Sequence, residues 1–320
     1  MKIKVLERGS LDRPRGNFHY TPDAVFCYDP DCRDYDWLVV YDELPRAEEK
    51  LACDPAHTIL ATSEPVSIKT YSQAYVRQFA YLLTNRPAAA ENHPGYRFGR
   101  GYYTWFVGRT YRECVALRLP PKSKEISAVC SSKQMKHTRH HERFELIRAL
   151  AGAIPGFEWY GHGVKAFGAK FEVMDPFRYH VAVENHIADG HWSEKLADAF
   201  LCECLPFYAG APDLAADFPA ESFIPIPIDD PAAAVEIVRG AIAAGEYERR
   251  RDAVLEAKRR VLEKYNFWAQ VLNVIASGPG AAPRLVTPGA IVERKALRWR
   301  SLSAALEDFK AHFKQYTGIN

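Results

Sequence analysis

The sequence predicts an α/β protein of two Rossmann-like domains with a C-terminal helix, and three observations carry that expectation. Strand-like and helix-like segments alternate from Ile126 onward, as parallel βαβ units do, and such units place ligand sites at the carboxyl ends of their strands. The N-terminal third holds short apolar runs, Trp37–Tyr41 (WLVVY) and Thr58–Ala61 (TILA), each ending in acidic or turn-forming residues, the pattern of buried strands that open onto loops. With 320 residues, 48% of them hydrophobic, the chain is long enough for two cores.

Pro and Gly residues punctuate the interval from Arg86 to Gly101, and Pro120-Pro121 followed by KSK closes the first half. The expected domains are therefore 1–122 and 123–277, followed by a linker and C-terminal helix over 278–320. In the second domain, Ile126–Cys130 reads as a strand and His140–Gly152 as an amphipathic helix with Phe144, Ile147 and Leu150 on one face. Strands at Phe157–Tyr160 and Tyr179–Val183 precede a helix from about Ser193 to Cys202. Strands at Leu205–Tyr208 and near Ser222–Ile226 come next, then helices at Ala232–Ala244 and Tyr247–Lys264. The last helix is expected from roughly Ala290 to Gln315.

Composition narrows the function. Lys and Arg number 42 against 40 Asp and Glu, a formal charge of +2, which is too balanced for phosphate-driven nucleic-acid binding. The start MKIKVLERGS has no apolar signal core, and no window approaches the roughly 18 apolar residues of a membrane span. A cytoplasmic location follows as the expectation, with peripheral contact at the inner face of the membrane as its variant. The seven cysteines are irregularly spaced and read as buried reduced thiols. His137, His140 and His141 lack spaced carboxylate or cysteine partners, so no metal site is expected.

The most informative stretch runs from Tyr179 to Pro212, YHVAVENHIADGHWSEKLADAFLCECLPFYAGAP. An apolar strand ends at Glu184-Asn185, a polar loop follows, and Ser193 stands where a helix N-cap belongs. A helix start offers free N–H groups and the positive end of a dipole, which suit a diphosphate, and Lys195 adds a full charge. Glu194 is placed to accept hydrogen bonds from ribose hydroxyls. A strand, loop and capped helix also occur in α/β proteins that bind nothing there.

Four linked blocks in this order, VAVEN (181–185), HWSEKLADAF (191–200), YAGAP (208–212) and DFPAESFIPI (217–226), resemble the signature of the family 10 glycosyltransferases, the α-1,3-fucosyltransferases. The resemblance covers roughly Ile126 to Phe267 well and the N-terminal half loosely. It implies a GT-B-like fold, with the two domains facing a central cleft, and an inverting transfer of fucose from GDP-fucose to a hydroxyl of a saccharide or glycolipid acceptor in cell-surface polysaccharide synthesis. No tightly bound cofactor is implied. Glu194 and Lys195 match the donor-binding pair, Asn185 the loop asparagine, and Ser193 replaces the usual threonine. In SSKQMKHTRHHERFELIRAL, Arg143 best matches the arginine that contacts the donor diphosphate, with Arg139 as the alternative. In TILATSEPVSI, Glu64 resembles the proposed base, and Asp42 and Glu43 form the rival pair. The loop HIADGHW departs from the family pattern, so a different nucleotide sugar is the second reading and an inactive saccharide- or nucleotide-binding module the third.

The chemistry explains the residue types. As the nucleoside diphosphate leaves, charge develops on its phosphates and must meet fixed cations and N–H groups, while a carboxylate takes the acceptor's proton. The basic tail ERKALRWRSL with Trp299 would suit an anionic membrane surface or pack on the body. His180 and His186 read as satisfied polar residues, and the Arg/Glu-interleaved run from Glu246 to Glu263 as a solvated helix face.

Overall fold

The structure is a computed structural model; it describes residues 1–8, 18–21, 23–62, 64, 69–86, 93–100, 105–132, 139–277, 289–300, 302, 305–307 and 309. The chain forms two compact units, one of residues 1–99 with 267–320 and one of residues 100–266.

The first unit is built on a seven-stranded sheet of order β2-β3-β1-β4-β6-β7-β8, comprising β1 (Lys2–Glu7), β2 (Phe18–Thr21), β3 (Ala24–Cys27), β4 (Trp37–Tyr41), β6 (Thr58–Thr62), β7 (Tyr81–Thr84) and β8 (Tyr96–Phe98). Every pair is parallel except β2 with β3. All residues of β4, β6 and β7 are buried, as their unbroken apolar runs require of strands covered on both faces. The short β5 (Glu48–Lys50) lies outside this sheet, and α1 (Gln73–Val76), capped by Ser72, precedes β7.

β1 was not anticipated, since the lysines of KIKVLE leave it without an unbroken apolar run. In the fold Lys4 is 0% exposed, and its ammonium meets Glu49 Oε1 at 2.7 Å and the Cys32 carbonyl at 2.9 Å. A buried ammonium is tolerated only with such partners.

The second unit holds a five-stranded sheet of order β10-β9-β11-β12-β13, parallel throughout. Its strands are β9 (Lys124–Val129), β10 (Phe157–Tyr160), β11 (Phe177–Val183), β12 (Leu205–Ala209) and β13 (Ile224–Pro225). Its helices are α2 (Tyr111–Ala116), α3 (His140–Ala153), α4 (Glu194–Leu201), α5 (Pro231–Ala243) and α6 (Glu246–Arg260). The expected strands and helices of this region are present to within a few residues; β13 is only a two-residue strand, and α6 passes at Val261–Tyr265 into a π-helical turn.

Three expectations need correction. The unit boundary falls near residue 100, because Arg109 pairs with Asp175 and the Phe106 N–H reaches Asp198, tying the segment before Pro120 to the second unit. The interval from Arg86 to Gly101 contains β8 rather than only a break. The expected final helix begins as β14 (Ala290–Val292), antiparallel to β5, and α8 (Arg294–Arg300) starts only after Glu293, whose Oε2 accepts the Lys295 and Ala296 N–H groups at 2.7 and 3.0 Å. That carboxylate caps the helix and fixes its start. The linker proposed from 278 lies outside the described residues except at Gly289. α7 (Phe267–Ala276), which was not anticipated, returns the chain to the first unit. Among the described residues no helix is long and apolar enough to cross a membrane.

Glu49→Ala should destabilise the first unit by about 3 kcal/mol by leaving Lys4 buried without its counter-charge, whereas Lys4→Met with Glu49→Leu should come within about 1 kcal/mol of wild type. Urea denaturation of the three proteins decides it, and equal stability of the single variant and wild type would refute the account.

Candidate functional site

The strand order of the second unit locates its crevice. The chain leaves β9 for β10 on one side and returns to β11 on the other, so the topological switch lies between β9 and β11, where open α/β sheets bind ligands beyond their carboxyl ends. A pocket opens there, lined by Val129 at the end of β9 and Cys130 after it, Val183 of β11, Arg143 of α3 and Lys195 and Asp198 of α4.

Glu184 follows the last residue of β11 and is 1% exposed. Its Oε1 accepts the Ser193 N–H at 2.8 Å and its Oε2 the Ser193 hydroxyl at 2.6 Å, while the Lys195 ammonium stands 3.5 Å from Oε2. Ser193 Oγ also accepts the Lys195 N–H at 3.3 Å, as an N-cap does. Lys195 Nζ reaches Ser193 Oγ at 3.0 Å and Glu194 Oε1 at 3.1 Å. A lysine in a first helical turn opposes the dipole, and these carboxylates offset it.

The other wall comes from α3. Arg143 is 6% exposed, and its Nη1 donates to Asn185 Oδ1 at 2.5 Å. The Arg139 backbone N–H donates to the Asn185 carbonyl at 3.3 Å, so both arginines tie the start of α3 to the loop after β11, and it is the Arg143 side chain that lines the pocket. Among the described residues, Arg143 Nε is buried without a hydrogen-bond partner. A buried unsatisfied donor is costly, and a ligand anion would satisfy it.

Beneath lie Lys170, whose Nζ is 2.7 Å from Asp198 Oδ2, and His180, whose Nδ1 is 2.9 Å from Ser127 Oγ. Burial opposes the charge of Glu194, yet Lys195 and Lys170 overcome it and hold the carboxyl down at about 2. Burial pushes Glu184 and Asp198 up, more than their lysines pull them down. Burial also works against both lysines, but the carboxylates outweigh it and raise them. The Arg143 guanidinium and the Lys195 ammonium both line the pocket.

Glu64 lies in the first unit, two residues past the end of β6, and its carbonyl accepts the Arg86 Nε–H at 3.1 Å. The rival pair is engaged elsewhere. Asp42, with φ of 60°, accepts the Tyr71 hydroxyl. Glu43 is held by Arg294 at 2.8 Å and Lys69 at 3.3 Å; burial alone would raise its carboxyl, and the two cations lower it. His140 is buried in α3, and His137 lies outside the described residues. Among the described residues no cluster of His, Cys, Asp and Glu is arranged to hold a metal ion. All seven cysteines are free, but Cys27, Cys32 and Cys53 are only half-buried.

Sequence reasoning missed the roles of Glu184, Lys170 and Asp198. A Glu at the end of an apolar strand was visible; Lys170 sits in a short 3-10 turn with no periodic signal, and only the fold brings it to α4.

Burial pushes His180 down to about 3 from its ordinary 6.5, with Lys170 assisting. The unfolded chain therefore binds a proton near pH 6.5 that the folded chain refuses, and stability present above that pH is lost as pH falls toward 3. Each pH unit below about 6 should cost about 1.4 kcal/mol from this group. His180→Gln, which keeps a partner for Ser127, should flatten the dependence of unfolding free energy on pH between 6.5 and 4.5; an unchanged slope would exclude His180 as its source.

No protein-family model and no curated protein sequence matches the chain. Among solved structures it is similar to an α1,3-fucosyltransferase, with a TM-score of 0.56 at 15% identity over 90% of this chain and 92% of that one. The crystal structure of an α1,3-fucosyltransferase with GDP-fucose gives a TM-score of 0.51 at 16% identity over 86% and 89% of the two chains. The fold is thus the two-domain, Rossmann-like GT-B fold of those enzymes.

Proposed function

We propose that the chain is an inverting glycosyltransferase that moves a sugar, fucose from GDP-fucose in the first instance, to a hydroxyl of a saccharide or glycolipid acceptor. The observation that carries this reading is the Arg143 guanidinium at the switch-point crevice, its buried Nε without a hydrogen-bond partner among the described residues, beside Lys195 at a serine-capped helix start. An anionic ligand would give that donor a partner, and the oxygens of a nucleoside diphosphate suit a guanidinium and an ammonium side by side. The fold likeness to an enzyme crystallised with GDP-fucose supports the donor.

In the reaction so read, the acceptor oxygen attacks the anomeric carbon from the face opposite the leaving group. The bond from that carbon to the phosphate oxygen breaks, and its electron pair stays on the diphosphate. Arg143 and Lys195 stabilise the charge that develops there. Glu194 holds the ribose, and Asn185 fixes the Arg143 guanidinium through its side-chain oxygen. Glu64, in the unit assigned to the acceptor, takes the hydroxyl proton. Trp299, Leu302, Leu306 and Phe309 are exposed at 92, 86, 60 and 69% near the basic residues of α8, which supports a peripheral contact with an anionic membrane where lipid-linked acceptors reside.

Arg143→Gln and Lys195→Gln should each weaken nucleoside diphosphate binding about 10- to 100-fold, the worth of one charge-assisted hydrogen bond, in a thermal-shift titration with GDP and UDP. Unchanged affinity in both variants would remove the phosphate assignment. Glu64→Gln should keep nucleotide affinity while cutting sugar transfer about 100-fold or more; full turnover in that variant would move the base elsewhere.

A further inference from the structure

The loop from Asn185 to Ser193 is fastened at a point the donor chemistry does not use. Arg100, the first residue of the second unit, reaches two carboxylates at once. Its Nη1 and Nη2 meet Asp213 Oδ2 at 3.0 and 2.6 Å, and its Nε donates to Asp217 Oδ1. Each carboxylate turns its other oxygen to the loop. Asp213 Oδ1 accepts the Gly190 N–H at 2.7 Å, and Asp217 Oδ2 accepts the Trp192 indole N–H at 2.8 Å.

We propose that Arg100 is a positioning residue: by holding Asp213 and Asp217 it sets the Gly190–Trp192 turn, and through it Ser193 and the start of α4. The inference rests on the nucleotide-sugar reading for its effect on a ligand, but not for its effect on the loop.

The physical grounds are charge and rigidity. Asp217 is 0% exposed and Trp192 1%, so Asp217 has no water to replace a lost cation, and removing one partner of a buried ion pair leaves the other's desolvation uncompensated. Gly190 has φ of 66°, a conformation that glycine adopts freely and leaves as freely; the Asp213 bond selects it. Trp192 is wedged against Phe218 and Tyr265, with ring centroids 5.0 and 5.5 Å away, and it immediately precedes the cap. A shift of the indole therefore moves Ser193, and with it the hydroxyl shared by Glu184 and Lys195. Displacements of that order at a binding constellation are costly in affinity.

Hydrogen exchange on the ligand-free protein and GDP titration, with UDP in a parallel arm, test this on wild type, Arg100→Ala, Arg100→Lys and the control Arg109→Ala. The control removes a comparable part-buried pair with Asp175 in the same unit. Exchange of segment 186–193 should quicken about tenfold in Arg100→Ala and recover in part in Arg100→Lys, with no local change in the control. Affinity for the nucleotide that wild type binds should fall about tenfold in Arg100→Ala only. Unchanged exchange of 186–193 in a folded Arg100→Ala protein, or the same change in the control, overturns the proposal. A wild type that responds to neither nucleotide sinks the donor reading instead, and the exchange arm still decides the role of Arg100.

Discussion

Glu184 is the constraint on which the second unit's architecture depends. A carboxylate at the end of a central parallel strand cannot be left in an apolar crevice without donors. Ser193 supplies two and Lys195 an ammonium, so the chain leaving β11 must return within a short loop and begin a helix at that point. The demand reaches the neighbouring strand as well. A Cβ at Gly210 would stand 2.7 Å from Glu184 Cγ and 2.1 Å from the Tyr208 hydroxyl oxygen, so the residue after β12 has to be glycine for the carboxylate to keep its place.

Around that carboxylate the charges are interleaved rather than segregated. Lys195 lies between Glu184 and Glu194, and Lys170 between Asp198 and the field of Glu194. Such an arrangement lowers the desolvation cost of each ion and fixes side chains that would otherwise lose rotamer freedom only when a ligand arrives. Arg143 stands apart, since its Nη1 is bonded to Asn185 while its Nε has no partner among the described residues. The crevice is thus largely organised in advance, with one donor held in reserve.

Much of this was legible in the sequence because it is local. The serine cap lies one residue before Glu194, the strand ending in Glu184-Asn185 is apolar throughout, and the alternation of strands and helices is regular; each leaves its mark within a short window. What could not be read is what the fold brings together from far apart. Lys4 is buried only because β5 supplies Glu49, and Lys170 is part-buried only because it meets Asp198. The domain boundary failed for the same reason. Pro120-Pro121 is a real break in the pattern, but the ion pairs of Arg100 and Arg109 carry the chain into the second unit well before it.

The same distinction separates what the fold explains from what it leaves to other residues. The network of Glu184, Ser193 and Lys195 is a consequence of strand order and burial, and in the proposed function it orients a diphosphate whichever base or sugar is attached to it. The fold itself persists at 15–16% identity. Selection of a particular sugar requires polar groups that pair with its hydroxyls and are left unsatisfied by a competitor. The loop HIADGHW is where this chain departs from the pattern of the fucosyltransferases it resembles, and Asp213 and Asp217 bond to it at the Gly190 N–H and the Trp192 indole. In the proposed function, a change of donor would be made at that loop, without disturbing the buried carboxylate on which the helix start rests.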